Sequence, residues 1–468
     1  MAISTSQSIL AMLKVWYKDG VSNLMFRNSP LLNKIDKTRV EGKQQNFSAI
    51  YGRGGAVAAR FTIAQQNAKQ QTRNVEFEVR PGQIFSVYTM NGKEVQASLS
   101  KRGAYMKVAG NKMFAASEGF RKTMATALYG RGYGELCYID ATKNASLASI
   151  ATTGTKVWLP IDAIMKIDIG TIIDVKASIA TGTIVGSAEV TAIDGNIVTL
   201  AAQTSAISVT PGTHILALSG SVDASGNPLL PMGLDGWLPT VGNRVAGGSW
   251  DTYIANSFFG VSRANASDRL AGAFVVGASS EKYSVTVQDL LMKCRRQGSQ
   301  ADLIVMNDED FLTLSKEIET TNTYFTQTST KAKKEATVGF NSFAASFSTN
   351  YIDNIIDDPY CPKGKFYILD SSAVELFSYT NTEKLNDGVN GNNAGKQNPL
   401  DMEDEGKEKT PYGLIIDDYI NVQPGSGSDD GPDVEVTLQF FGSLAVTNPS
   451  VCGVGIFDNN TTYIGYGL

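Results

Sequence analysis

The chain is electrically split, and the split restricts how it can fold and where its faces can go. Residues 1–130 carry 19 Lys and Arg against 7 Asp and Glu, a net of +12. The remaining residues carry 22 against 39, a net of −17, and residues 350–433 alone hold 17 acids against 6 bases. Complementary patches of this kind steer association and fix register, so the natural target of the basic part is the acidic part of another copy. The means for chemistry are sparse by contrast. There is one histidine, His214, and the four cysteines Cys137, Cys294, Cys361 and Cys452 stand singly. No C-x-x-C and no Cys/His cluster occurs, which argues against a disulfide framework and a thiolate zinc site and fits a reducing cytoplasm. The pattern is that of a protein that assembles.

At 468 residues the length suggests about three domains. Hydrophobic content of 42% with 19% charged residues excludes wholesale disorder. The N-terminus, Met1-Ala-Ile-Ser-Thr-Ser-Gln-Ser, lacks the charged start and apolar core of a signal peptide. No apolar run approaches the ~20 residues of a membrane helix. A cytosolic site of synthesis and no membrane partner are expected.

Along the chain, Ile9, Leu10, Leu13, Trp16 and Tyr17 recur at helical spacing. They predict a short helix over 6–18, either a core helix of its own domain or one docking on a partner subunit. Residues 19–45 read as an extended arm. Two strand-like stretches, Ala56–Ile63 and Asn74–Val79, flank a polar tip over 64–72, a hairpin that needs a neighbour to lie on. Met113, Ala116, Phe120, Met124 and Ala127 predict a helix over 111–129, capped by Asn111 and ended by Gly130-Arg-Gly132. Over 154–222, short β-branched runs follow one another, with Asp194-Gly195 as a two-residue hairpin signal. They predict a self-contained small antiparallel barrel or sandwich.

Beyond the Pro/Gly stretch 226–239, Val287, Leu290, Leu291 and Cys294 form a helical stripe, with Thr286-x-x-Asp289 at capping-box spacing. Ala301–Met306 reads as a strand, Asn307 as the cap of a helix carrying Phe311, Leu312, Leu314 and Ile318, and Phe366–Leu369 as another strand. Residues 379–413 are almost wholly polar and read as a solvated loop or a segment that orders on assembly. Val434, Val436, Leu438 and Phe440 alternate with polar residues as a half-buried strand.

Candidate chemistry is sparse. Gly52-Arg-Gly-Gly55 and Gly130-Arg-Gly-Tyr-Gly134 fail the spacing of phosphate-binding loops and read as turn glycines. The pairs Asp357-Asp358, Asp417-Asp418 and Asp429-Asp430 and the run Asp401–Glu405 lack calcium-loop spacing and read as solvated turns. His214 reads as a structural residue. No catalytic, cofactor-binding or metal-binding residue is assigned.

The order of parts resembles the major capsid proteins of tailed bacteriophages with the HK97-type fold, an α+β fold. The similar stretches are Gly233-Leu-Asp-Gly-Trp-Leu-Pro239, the string from Leu290 to Phe311, and Gly442-Ser-Leu-Ala-Val-Thr-Asn-Pro449. The resemblance implies an N-terminal arm (1–45), an E-loop hairpin (46–88) and a P-domain with the spine helix (89–153). It further implies an inserted β-domain (154–222), an A-domain (223–378), a polar acidic loop with the P-domain return (379–433) and a closing P-domain strand and tail (434–468). The implied function is a structural one, with no enzymatic activity: hexamers and pentamers tile an icosahedral head around double-stranded DNA. The implied partners are other copies, a portal, a separate scaffolding protein and auxiliary capsid proteins, in a virion assembled in the host bacterial cytoplasm. An encapsulin-type bacterial shell shares the fold, and a carboxylate-dependent hydrolase is the alternative of another class. Some relatives join an E-loop lysine to a P-domain asparagine of a neighbour. Lys69 and Asn448 are the residues here that such a bond would use, but the wholly polar surroundings of Lys69 predict none.

Overall fold

The structure, a computed structural model, describes residues 31, 34–40, 43–52, 57–67, 73–91, 119–151, 154–177, 184–203, 205–240, 258–263, 266–278, 281–321, 354–379, 414–417 and 433–457. The expected helix over 6–18, the start of the 111–129 helix with Asn111, residues 68–72 of the hairpin tip with Lys69 and residues 380–413 of the polar loop lie outside them. The chain divides into two compact units. One comprises Met1–Asn28, Gln83–Ala125 and Ser378–Gly442; the other comprises Ser29–Gly82, Thr126–Phe377 and Ser443–Leu468.

In the first unit the strand Gly82–Asn91 pairs with the strand Asp433–Val446. Leu414–Asp417 runs antiparallel to the latter, with Leu414 opposite Phe440. Phe85 meets Phe441 edge-on at 5.6 Å, and Phe120 meets Phe440 at 6.4 Å. Phe120 and Met124 are buried on the helix over 119–127, as their spacing predicts.

The second unit opens with an antiparallel hairpin of β1 (Gln45–Gly52) and β2 (Arg73–Val79), in register from Gln45 opposite Val79. This corrects the sequence reading. The run expected as a strand, Ala56–Ile63, is not one: Phe61–Asn67 is helical. Alanine and glutamine favour helix, and that preference outweighs the β-branched Val57, Thr62 and Ile63. The strand in its place is β1, whose alternate residues Phe47, Ala49 and Tyr51 face inward against outward Asn46, Ser48 and Ile50.

A six-stranded antiparallel sheet follows, made of β3 (Glu135–Tyr138), β4 (Thr155–Trp158), β5 (Ile172–Lys176), β6 (Ile184–Asp194), β7 (Ile197–Leu200) and β8 (Ile215–Leu218). Its order is β3-β8-β5-β6-β7-β4, an open path among the described residues. The long β6 serves two partners in turn, β5 along its first half and β7 along its second. Asp194 pairs with Ile197, so Gly195-Asn196 form the two-residue turn, with Gly195 in the left-handed region at φ +56°. One apolar core, including Leu136, Ile150, Val157, Leu159, Ile173, Val190 and Val198, fills the inner face. The sheet reaches back to Glu135, upstream of the 154 at which the sequence places its start. Its edge strand β3 holds β8 through Ile215 opposite Tyr138.

A second sheet runs β9-β13-β12-β10-β11, from β9 (Ala273–Val276), β10 (Leu303–Met306), β11 (Asn354–Asp357), β12 (Lys365–Leu369) and β13 (Gly453–Ile456). β9 with β13 and β10 with β11 are parallel; the central pairs are antiparallel. Helices α1 (Tyr283–Arg296) and α2 (Asp308–Thr321) supply Val287, Leu290, Cys294 and Leu314 to its core. The Val287–Cys294 stripe is buried as its spacing predicts. The capping box is not formed: α1 begins three residues earlier with Lys282 at its cap, and Thr286 lies inside the helix, donating to the Lys282 carbonyl at 3.4 Å. Asn307 does cap α2, its Oδ1 accepting from the Glu309 N–H at 3.0 Å. Among the described residues no helix is long and apolar enough to cross a membrane.

Candidate assembly surface

The hairpin is rooted in an aromatic cluster at one end and exposes apolar side chains toward the other, where Arg269 donates to the Tyr51 carbonyl at 2.5 Å. At the root, Phe47 and Phe77 stack at 5.3 Å and both lie against Trp237, which is fully buried on the short helix Leu234–Trp237. Phe258 and Phe259 close the cluster at 4.9 Å and 5.5 Å from the Trp237 ring. Phe259 sits at φ +48°, a conformation costly for a bulky residue. Its surroundings hold it there: its carbonyl accepts from the Glu78 N–H of β2 at 3.1 Å while its ring packs on Trp237. Buried Arg263 lies 3.8 Å from the Phe258 ring centre and donates to the carbonyls of Gly236 and Trp237. Trp237 itself donates Nε1–H to the Leu444 carbonyl at 2.7 Å.

Away from the root, the end of β1 and the segment between the two strands expose large apolar side chains. Ile50 is 66% exposed, Phe61 79% and Val57 fully so, with Arg60 and Arg73 exposed beside them. Large apolar side chains exposed along one stretch of chain beside cations are the kind of patch that marks a contact surface.

Behind the root lies a buried ionic junction. The helix over 119–127 ends in 3₁₀-type bonds from Tyr129 and Gly130, and the Gly-Arg-Gly-Tyr-Gly stretch then turns into β3. Gly134, at φ +67°, packs so close to Ser221 that a Cβ would lie 2.6 Å from it. Arg131, 1% exposed, places Nε 3.3 Å from both Glu135 and Asp235. Asp235 also takes the Lys365 ammonium of β12 at 3.1 Å and the Thr240 hydroxyl at 3.2 Å. Lys176 of β5 donates to the Tyr133 carbonyl at 2.7 Å and to Ser221 Oγ at 3.0 Å. With Asp174, three cations and three carboxylates are buried between the two sheets. Burial pushes the Glu135 carboxyl up against the pull of Arg131 and pushes the Lys365 amine down against that of Asp235. Every strong group faces a fixed protein partner, the arrangement of a structural joint.

The remaining candidates find ordinary roles. His214 precedes β8, its Nδ1 3.1 Å from the Thr210 N–H. Asp358, read from the sequence as part of a solvated turn, is instead fully buried and accepts from the Tyr129 hydroxyl at 2.7 Å and the Tyr360 N–H. The four cysteines are free and buried, and burial pushes the thiols of Cys137, Cys294 and Cys452 up to about 12. Asn448 accepts from the Ser450 hydroxyl at 2.7 Å. Gly52 ends β1, while Arg53, Gly54, Gly55, Lys69, Asp418, Asp429, Asp430 and the 401–405 run lie outside the described residues. Among the described residues no three His, Cys, Asp or Glu side chains are placed to hold a metal ion. Sequence reasoning missed the junction. Its signals were a lone lysine opening an otherwise apolar strand (Lys365-Phe-Tyr-Ile-Leu369) and an acid set among Gly, Leu and Trp at Asp235.

No protein-family model and no curated protein sequence matches the chain. Solved structures do. A chain of the cyanophage A-1(L) capsid asymmetric unit aligns at a TM-score of 0.56 and 12% identity, covering 96% of this chain and 98% of its own. The chain has an HK97-type capsid fold. A capsid chain of an empty GTA particle aligns at a TM-score of 0.44 and 9% identity, over 96% of each chain. The SrpI encapsulin of Synechococcus elongatus aligns at 0.42 and 10%, over 95% of this chain and 92% of that one.

Proposed function

We propose that the chain is the major capsid protein of a tailed phage, assembling as hexamers and pentamers into an icosahedral head that encloses double-stranded DNA. The observation that carries the reading is the pairing of a capsid fold over nearly the whole chain with a hairpin anchored in the core and apolar where it leaves it. In this reading the β1–β2 ribbon is the E-loop, the helix over 119–127 is part of the spine, and the six-stranded sheet is the inserted module. The five-stranded sheet belongs to the A-domain. A portal, a separate scaffolding protein and auxiliary proteins complete the head, and packaged DNA lies against its inside. The role is structural and non-catalytic. The subunit is made and assembled in the host bacterial cytoplasm. Expression with and without a candidate scaffolding protein, followed by electron microscopy, tests it. Closed shells support the reading, and shells that never enclose DNA in an infected host move it to a bacterial compartment.

Buried apolar surface supplies most of the affinity between copies and charge supplies rate and register. Reversing Arg60→Glu and Arg73→Glu, both exposed on the ribbon, should slow assembly while leaving the subunit's circular dichroism unchanged. Raising salt to 1 M, where the Debye length falls to ~3 Å, should slow the unaltered protein toward the rate of the variant. Light scattering measures both, and a rate independent of salt and of the reversal leaves hydrophobic contact as the sole driver.

No covalent lock between copies is expected. Such a bond needs a dry, positioned carboxyl beside a lysine and an asparagine in contact. Shells boiled in detergent should run as one band near 50.1 kDa. A ladder of pentamers and hexamers would overturn this and implicate Lys69.

A further inference from the structure

The two sheets of the second unit meet at another point, and its composition is unusual. The turn leading into β12 is held from both sides through consecutive main-chain N–H groups. From the six-stranded side, Asp162 on the short helix Ile161–Ile164 accepts from the Lys363 N–H at 3.0 Å. From the five-stranded side, Asp310 on α2 accepts from the Gly364 N–H at 2.6 Å, and Glu309 pairs with the Lys363 ammonium. Three carboxylates thus converge on one turn, and its own cation is Lys363.

We infer that this joint is a proton-operated clamp: closed while the buried Asp310 keeps its proton, and loosened when that carboxyl ionises in the company of Asp162 and Glu309. A carboxyl buried near other carboxylates ionises reluctantly, and the proton it keeps removes both the desolvation cost and the repulsion. Asp310 is 2% exposed, so its charged form is poorly solvated. Burial pushes its carboxyl up to about 7, against the Gly364 N–H and Lys363 and with the help of Asp162 and Glu309. Burial raises Asp162 as well. The other titratable groups facing the joint do not replace this proton. Lys166, buried on the six-stranded side, has its amine pushed down by burial, and the Cys361 thiol is pushed far up. The Lys365 ammonium, next along β12, is committed to Asp235.

The sign follows from the raised value. Asp310 holds its proton more tightly in the closed joint than in an open one, where it approaches an ordinary ~4. Closure is therefore most favoured at low pH, weakens as pH rises toward about 7, and changes no further above it. This inference is independent of the capsid reading, since it concerns one subunit.

Hydrogen exchange of the full chain, read by mass spectrometry on peptides spanning 361–365 and divided by the intrinsic rate at each pH, tests it. Protection should fall by up to about tenfold per pH unit between pH 5 and 7 and then level. Asp310→Asn, which keeps an acceptor for Gly364, should be nearly flat. Glu309→Gln, at an exposed site, should move the midpoint down, because it removes one like charge and releases Lys363; this arm carries the test if Asp310→Asn fails to fold. Protection independent of pH in the unaltered chain, the same slope in Asp310→Asn, or an unmoved midpoint in Glu309→Gln would each overturn the clamp.

Discussion

Replacing Trp237 with alanine should cost about 3–5 kcal/mol of subunit stability, the range for truncating a fully buried Trp. The side chain is 0% exposed, touches four phenylalanine rings and bonds the Leu444 carbonyl, so little around it can close the gap. The loss should also free the hairpin, since Phe47 and Phe77 root on this ring, and assembly should fail even where the fold survives. Trp237→Phe keeps the stacking but takes from the Leu444 carbonyl its short 2.7 Å bond, leaving only the Ser443 hydroxyl at 3.5 Å, for about 1–3 kcal/mol. Urea unfolding orders the three proteins. An alanine variant as stable as the parent would mean that the aromatic cluster does not anchor the ribbon.

Asp235→Ala should be as damaging for a different reason. It leaves Arg131 and Lys365, both buried, without the carboxylate they share, and breaking a buried pair by removing one partner costs about 3–5 kcal/mol. Replacing the set together, with Arg131→Met, Glu135→Leu, Asp235→Leu and Lys365→Met, should cost much less, because desolvation of the ions disappears with them. Thermal unfolding of the single and the fourfold variants measures the contrast. A mild single loss, or a fourfold variant worse than the single, would contradict the account of the junction.

What the sequence made legible was local. The Val287–Cys294 stripe, the apolar run ending at Met306 and the Asn307 cap each reflect a rule acting within a few residues, and each stands in the structure; the hairpin signalled at Asp194-Gly195 forms with its turn one residue later, at Gly195-Asn196. The errors were local too, but decided by context. Phe61–Asn67 took the helix its Ala and Gln favour, and β1 went unread because its inward residues are a mixed set of Phe, Ala and Tyr. The junction could not be read, because its members come from positions 131 to 365 and only folding brings them together. The glycines around Arg131 were read correctly as turn residues, but the reading passed over the arginine between them. Aromatic residues at 47, 77, 237 and 258 form one cluster for the same reason: each is ordinary where it stands in the chain.

In the capsid reading this subunit contacts copies of itself through a rooted ribbon. Negative-stain microscopy of the purified chain, with a candidate scaffolding protein and without, tests it most directly. The account predicts closed isometric shells of uniform size in at least one of the two conditions, lost when Phe61 and Ile50 are both changed to serine while the subunit stays folded. Well-folded monomers in both conditions, or shells indifferent to that double change, would contradict it.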